Sequence, residues 1–100
     1  GANIFFKDSN GELHTPIPDS FLNGITRKTV IEIAKSKKIK VNERKISPNE
    51  LSSFEGCFLT GTAAEVTPVS QIQDCKFKVC NTIIDLSESY QSFVRKQAAA

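Results

Sequence analysis

The chain has 100 residues, of which 24% are charged and 39% hydrophobic, with a formal net charge of +2. That length suits one small domain over residues 1–100, burying only about two-thirds of its unfolded surface and so marginal by itself. Nearly balanced charge and dispersed lysines argue against a nucleic-acid footprint. No apolar run approaches the ~18 residues of a membrane span, and Gly1-Ala2-Asn3 lacks a signal peptide's basic and apolar regions.

Along the chain, Asn3-Ile4-Phe5-Phe6-Lys7 is rich in β-formers and Asp8-Ser9-Asn10-Gly11 is turn chemistry. Glu12-Leu13-His14-Thr15 resumes in extended form, so a hairpin is expected. Pro16-Ile17-Pro18 must be extended loop, because each proline biases its predecessor away from helix. The strongest helix opens at Asn23-Gly24-Ile25-Thr26-Arg27, with Thr26 as its expected cap and Val30, Ile31 and Ala34 as its apolar face. The densest basic run, Lys35 to Lys40, reads as that helix's solvated C-terminal end. Val41 to Ile46 is an expected exposed strand. Ser47-Pro48-Asn49-Glu50 is a helix start, with a capping serine, proline at the first position and glutamate three residues on. Gly56 keeps that helix brief.

Cys57 to Thr60 reads as a strand running into Gly61-Thr62-Ala63-Ala64. Glu65-Val66-Thr67 is extended up to Pro68, Val69 to Ile72 continues a strand, and Cys75 to Val79 alternates. Ile83, Ile84, Leu86, Tyr90, Phe93 and Val94 mark a terminal helix, with fraying expected from Ala98. The fold class is therefore α+β or mixed α/β. The three cysteines, Cys57, Cys75 and Cys80, are odd in number and lack CxxC spacing. Free thiols in a reducing compartment, hence a cytoplasmic protein, are expected. His14 is the single histidine, far from the cysteines in sequence, so no metal is expected.

Two segments carry chemistry. Leu22-Asn23-Gly24-Ile25-Thr26-Arg27 puts a glycine and a hydroxyl at a helix start, where free N–H groups and the helix dipole favour an anion. The plain reading is an ordinary helix cap. Thr60-Gly61-Thr62-Ala63-Ala64 ends an apolar strand in small residues, which admit close contact between backbone amides and a carboxylate or phosphate. A tight turn explains that glycine equally well.

Phe21-Leu22-Asn23-Gly24-Ile25-Thr26-Arg27, Val41-Asn42-Glu43-Arg44 and Cys57-Phe58-Leu59-Thr60-Gly61-Thr62-Ala63-Ala64-Glu65-Val66-Thr67-Pro68-Val69 resemble, in order and spacing, the C-terminal half of the fold-type IV aminotransferases. The Gly-Ile-Thr-Arg element is shared with D-amino-acid aminotransferases and aminodeoxychorismate lyases. Gly61 to Val69 looks most like the branched-chain amino-acid aminotransferases. The resemblance implies a pyridoxal 5′-phosphate enzyme, a homo-oligomer with its site at a domain interface, exchanging amino groups between branched-chain amino acids and 2-oxoglutarate. It implies that Leu22 packs on the cofactor ring. The amides of Ile25 and Thr26, after Gly24, bind the cofactor phosphate with the hydroxyls of Thr26 and Thr62. The amides of Thr62 and Ala63 hold the substrate α-carboxylate.

The family's catalytic lysine lies upstream of the first matched residue, and its pyridine-binding glutamate falls just before the position of Gly1. No catalytic residue is therefore assigned here, and the chain alone is expected to be inactive. Other expectations consistent with these residues are a D-amino-acid aminotransferase or aminodeoxychorismate lyase fragment, or a non-catalytic, self-associating remnant. Three departures from the usual pattern stand out. Ser36-Lys37-Lys38-Ile39 replaces a stretch that commonly carries glycine, Gly56 stands where an acidic residue is usual, and Cys80-Asn81 where Gly-Pro is common.

Overall fold

A computed structural model describes residues 3–17, 24–61 and 65–99, with side chains to Gln97. Asn3–Lys7 (β1) and Leu13–Thr15 (β2) form the expected antiparallel hairpin. Asp8 Oδ1 closes its turn by accepting from the amides of Asn10 and Glu12, both at 2.9 Å. Gly11, at φ +84°, takes the left-handed step that a side chain would resist. Strand β3, Val41–Glu43, pairs with β2 in parallel. A parallel pair needs a crossover connection, and helix α1, Ile25–Ser36, supplies it. The strand expected to reach Ile46 stops at Glu43, because Arg44 turns its side chain to Glu50 (2.7 Å) and its amide to the Thr15 carbonyl (3.0 Å).

Helix α1 buries Arg27, Val30, Ile31 and Ala34. Its cap is Gly24, in extended conformation, and no side chain caps the first turn. Thr26, expected as the cap, lies one residue inside the helix, where its hydroxyl stands 3.4 Å from the Tyr90 hydroxyl. At the other end Lys38 N–H donates to Lys35 (2.9 Å) and Ile39 N–H to Ala34 (2.9 Å), with Lys38 at φ +64°. This is a Schellman closure, with Ile39 folding back on the core.

Pro48–Ser53 is a single stretch of 3-10 helix. The expected capping box is present: Ser47 Oγ accepts from the Asn49 amide, and the Ser47 amide donates to Glu50 Oε2 at 2.8 Å. Strand β4, Gly56–Gly61, lies between β1 and β5, Glu65–Pro68, antiparallel to both. The sheet order is β3-β2-β1-β4-β5. A second small sheet pairs β6, Gln71–Ile72, with β7, Cys75–Lys76. The strand expected to reach Val79 ends at Lys76, since the Phe77 and Lys78 amides bond to different partners, Ser70 (2.8 Å) and Glu55 (2.7 Å). Helix α2, Asn81–Ala99, completes the chain.

Strand alternation splits the core into two layers. Phe5, Leu13, Phe58 and Val66 meet Val30, Ile31 and Ala34 of α1 and Ile83 and Leu86 of α2 on one face. Phe5 and Phe58 stack there with centroids 5.0 Å apart. On the other face Phe6 stacks on Phe54 at 4.9 Å, with Cys57 and Phe77 beside them. Burial of these side chains, at about 1.5–3 kcal/mol each, is the main stabilising term. The result is a mixed α and β fold, as the sequence leads one to expect.

Candidate anion-binding site

The register places the ends of β2 and β4 at one end of the sheet. Strand β1 runs antiparallel to β2 and to β4, so β2 and β4 point the same way. Thr60 faces Asn3 at the start of β1, the end at which β2 finishes with Thr15. The connection from β2 to α1 and the turn from β4 to β5 therefore leave the same edge. Crossover folds offer ligand space at this edge, outside the carboxyl ends of parallel strands.

Helix α2 gives an independent measure of the same geometry. A Cβ added at Gly56, the start of β4, would meet Ile83 at 2.7 Å. One turn further on, Ser87 Oγ donates to the Val66 carbonyl (3.3 Å), and Val66 pairs with Thr60. One turn beyond that, Tyr90 meets Thr26 at the start of α1. The start of α1 thus lies toward the Thr60 end of β4. Helix α1 runs back along α2, and Lys37 near its far end pairs with Asp85 at 3.1 Å.

The start of α1 is built for an anion. Its N-cap residue, Gly24, has no side chain to cap it, and its first turn holds no acidic residue. Nothing lies within 4 Å of where a Cβ on Gly24 would stand, and Ile25 is 85% exposed. Among the described residues none caps this turn, and free N–H groups at a helix start suit a phosphate or carboxylate. Arg27 braces this turn from behind: it is 1% exposed, and its Nη2 donates to Glu43 Oε1 (2.7 Å) and to the Pro16 carbonyl (3.3 Å). Of the sequence-selected residues, Gly24, Ile25 and Thr26 stand together here; Leu22, Thr62 and Ala63 lie outside the described residues.

The sequence placed Thr60 in the small-residue segment but singled out neither its hydroxyl nor Tyr90. Thr60 is fully buried, and its hydroxyl has no hydrogen-bond partner among the described residues. The signal was the alternation of β4, which puts Thr60 on the same face as Phe58, toward the helices. Tyr90 read only as part of an apolar helical stripe.

A second polar cluster lies on the β1–β2 hairpin, where Asp8, Glu12 and His14 each bring one ligand atom within 4.8 Å of the others. His14 Nε2 sits 2.7 Å from Asp8 Oδ2, and Arg44 Nε donates to Nδ1 at 3.2 Å. Both ring nitrogens are engaged, so a cation there would break one of these bonds. Burial pushes the Asp8 carboxyl up, but His14 and the turn amides outweigh it and hold it below its ordinary value. The neighbouring Glu50 is held down to about 2 by Arg44 and the Ser47 amide.

The sequence matches the family described as "Amino-transferase class IV" over residues 1–72. It is 48% identical over 99 residues, 94% of this chain, to a probable branched-chain-amino-acid aminotransferase of Rickettsia typhi, covering 34% of that protein. The crystal structure of branched-chain amino acid aminotransferase from Thermobaculum terrenum in its PLP form superposes with a TM-score of 0.86, at 33% identity, over 94% of this chain and 32% of the other. A branched-chain aminotransferase from Thermoproteus uzoniensis with norvaline gives 0.83 at 38% identity, over 91% and 31% of the two chains. The fold is thus that of the matching part of fold-type IV aminotransferases, and the chain belongs to the class IV aminotransferase family. It spans about a third of the length of these relatives.

Proposed function

We propose that this chain forms the phosphate and substrate-carboxylate side of a pyridoxal 5′-phosphate-dependent branched-chain amino-acid aminotransferase. The complete enzyme would exchange amino groups between leucine, isoleucine or valine and 2-oxoglutarate. The observation carrying this reading is the acid-free first turn of α1, uncapped among the described residues, holding Gly24-Ile25-Thr26 toward the end of the sheet at which β4 finishes. Similarity to branched-chain enzymes supports this branch over D-amino-acid transamination or aminodeoxychorismate lysis.

The residues present suit the cofactor. The amides of Ile25 and Thr26, with the Thr26 hydroxyl, would hold its phosphate, joined by the Thr62 hydroxyl. Leu22 would pack on the ring, and the amides of Thr62 and Ala63 would hold the α-carboxylate. The bound cofactor supplies the electron sink on which transamination depends. These residues bind and orient; none of the chain's lysines is assigned the proton transfer at the substrate carbon. Helix α1 would fix the phosphate, and buried Arg27, paired with the half-exposed Glu43, ties its first turn to the end of β3.

Three charge-assisted hydrogen bonds contribute about 4–9 kcal/mol, whereas immobilising a ligand and ordering loops costs about 4–15 kcal/mol. The isolated chain therefore binds cofactor at millimolar level or more weakly and is inactive by itself. Exposed Ile25, Phe93 and Val94, at 85%, 40% and 36%, fit a protein whose working form is a homo-oligomer. We place the enzyme in the cytoplasm on the strength of its free thiols.

The test is a chimera in which these 100 residues replace the matched third of the Rickettsia typhi relative. Transfer from leucine, isoleucine or valine to 2-oxoglutarate is expected. A folded chimera that transaminates only D-amino acids, or nothing, contradicts the reading.

A further inference from the structure

The anion site described above has a polar group beneath it that no assigned role employs. Thr60 is the last side chain of β4 before Gly61, and it is fully buried. Its Oγ1 has no hydrogen-bond partner among the described residues. A buried hydroxyl left unpaired costs about 1–3 kcal/mol, so it either reflects strain or awaits a partner supplied from outside the chain. Its surroundings favour the second. The side chain shares the face of Phe58 and Val66, beneath α1 and α2. It stands at the end of the sheet where Thr26, Tyr90 and the open first turn of α1 meet.

We propose that Thr60 is a further polar contact of this site, its hydroxyl donating to a water that in turn donates to the phosphate monoester. The proposal rests on the reading of the α1 turn as the phosphate site. A buried water usually needs two to four polar partners, and the phosphate, Thr60 and nearby backbone groups supply them. The water is held by the ligand.

This account reverses the sign expected of a structural threonine. The experiment compares the 100-residue chain with Thr60→Val and Thr60→Ser, titrating each with pyridoxamine 5′-phosphate and following the amide resonances of Ile25, Thr26 and Gly61. Thr60→Val removes only the hydroxyl and so should unfold at the same or a higher temperature without ligand, yet bind at least fivefold more weakly. Thr60→Ser should bind within twofold of the unsubstituted chain. Equal binding by folded Thr60→Val overturns the role of Thr60 alone. Absence of any concentration-dependent shift at Ile25 and Thr26 in the unsubstituted chain overturns the phosphate-site reading and this inference with it. Loss of stability in Thr60→Val without loss of affinity marks Thr60 as structural and also overturns the inference.

Discussion

Cys80 occupies the space that a side chain at Gly56 would need. A Cβ at position 56 would stand 3.1 Å from Cys80 Sγ and 2.7 Å from Ile83 Cδ1. The absence of a side chain at Gly56 leaves the room that Cys80 and Ile83 fill. Gly56→Ala should destabilise by about 1–3 kcal/mol through overpacking. Adding Cys80→Ala should recover part of that loss, giving a favourable coupling in a denaturant double-mutant cycle. Strict additivity would show that the two positions are unrelated.

Lys38, just past the end of α1, sits at φ +64°, the position in a Schellman closure that glycine fills at least cost. Lys38→Gly should stabilise by about 0.5–1 kcal/mol, whereas Lys38→Ala should not. Urea unfolding midpoints decide this, and a destabilised glycine variant would contradict the strain argument.

Glu50 gives the clearest acid response. Its carboxyl is held down to about 2 by Arg44 and the Ser47 amide, below its ordinary value of 4.5. A depressed carboxylate stabilises the fold above its unfolded pKa and loses that contribution as protonation sets in. Stability should therefore fall as pH drops from about 4.5 toward about 2, and Glu50→Gln should flatten the curve over that interval. Parallel curves for the two proteins would remove the Arg44–Glu50 pair from the account.

Burial pushes the Cys57 thiol up to about 12, and the side chain is wholly enclosed. Cys75 and Cys80 are partly exposed. In native protein at pH 8 a maleimide should label Cys75 and Cys80 but leave Cys57 untouched until unfolding. Rapid labelling of Cys57 in the folded state would show that the second core layer opens readily.

What the sequence disclosed was largely local. The Asp8–Gly11 turn, the Ser47 capping box and the periodicity of both helices each depend on neighbours a few residues apart. Long-range pairings were hidden. Thr26 looked like a cap because its hydroxyl's neighbour, Tyr90, lies 64 residues on. The parallel union of β2 and β3 has no local signature, and His14 looked solitary until the hairpin folded Asp8 against it. At the candidate site, glycine and hydroxyl residues were legible as anion chemistry. Their placement at one end of the sheet comes from strand direction, and the need for Thr60 comes from burial, which spacing does not encode.

The central claim is that the open first turn of α1 receives a phosphate. Inorganic phosphate should be titrated into isotope-labelled chain at constant ionic strength while every backbone amide is followed. The account predicts saturating millimolar shifts centred on Gly24, Ile25 and Thr26, with the lysines from Lys35 to Lys40 moving little. Shifts confined to that lysine run, with Gly24 to Thr26 unmoved, would contradict it.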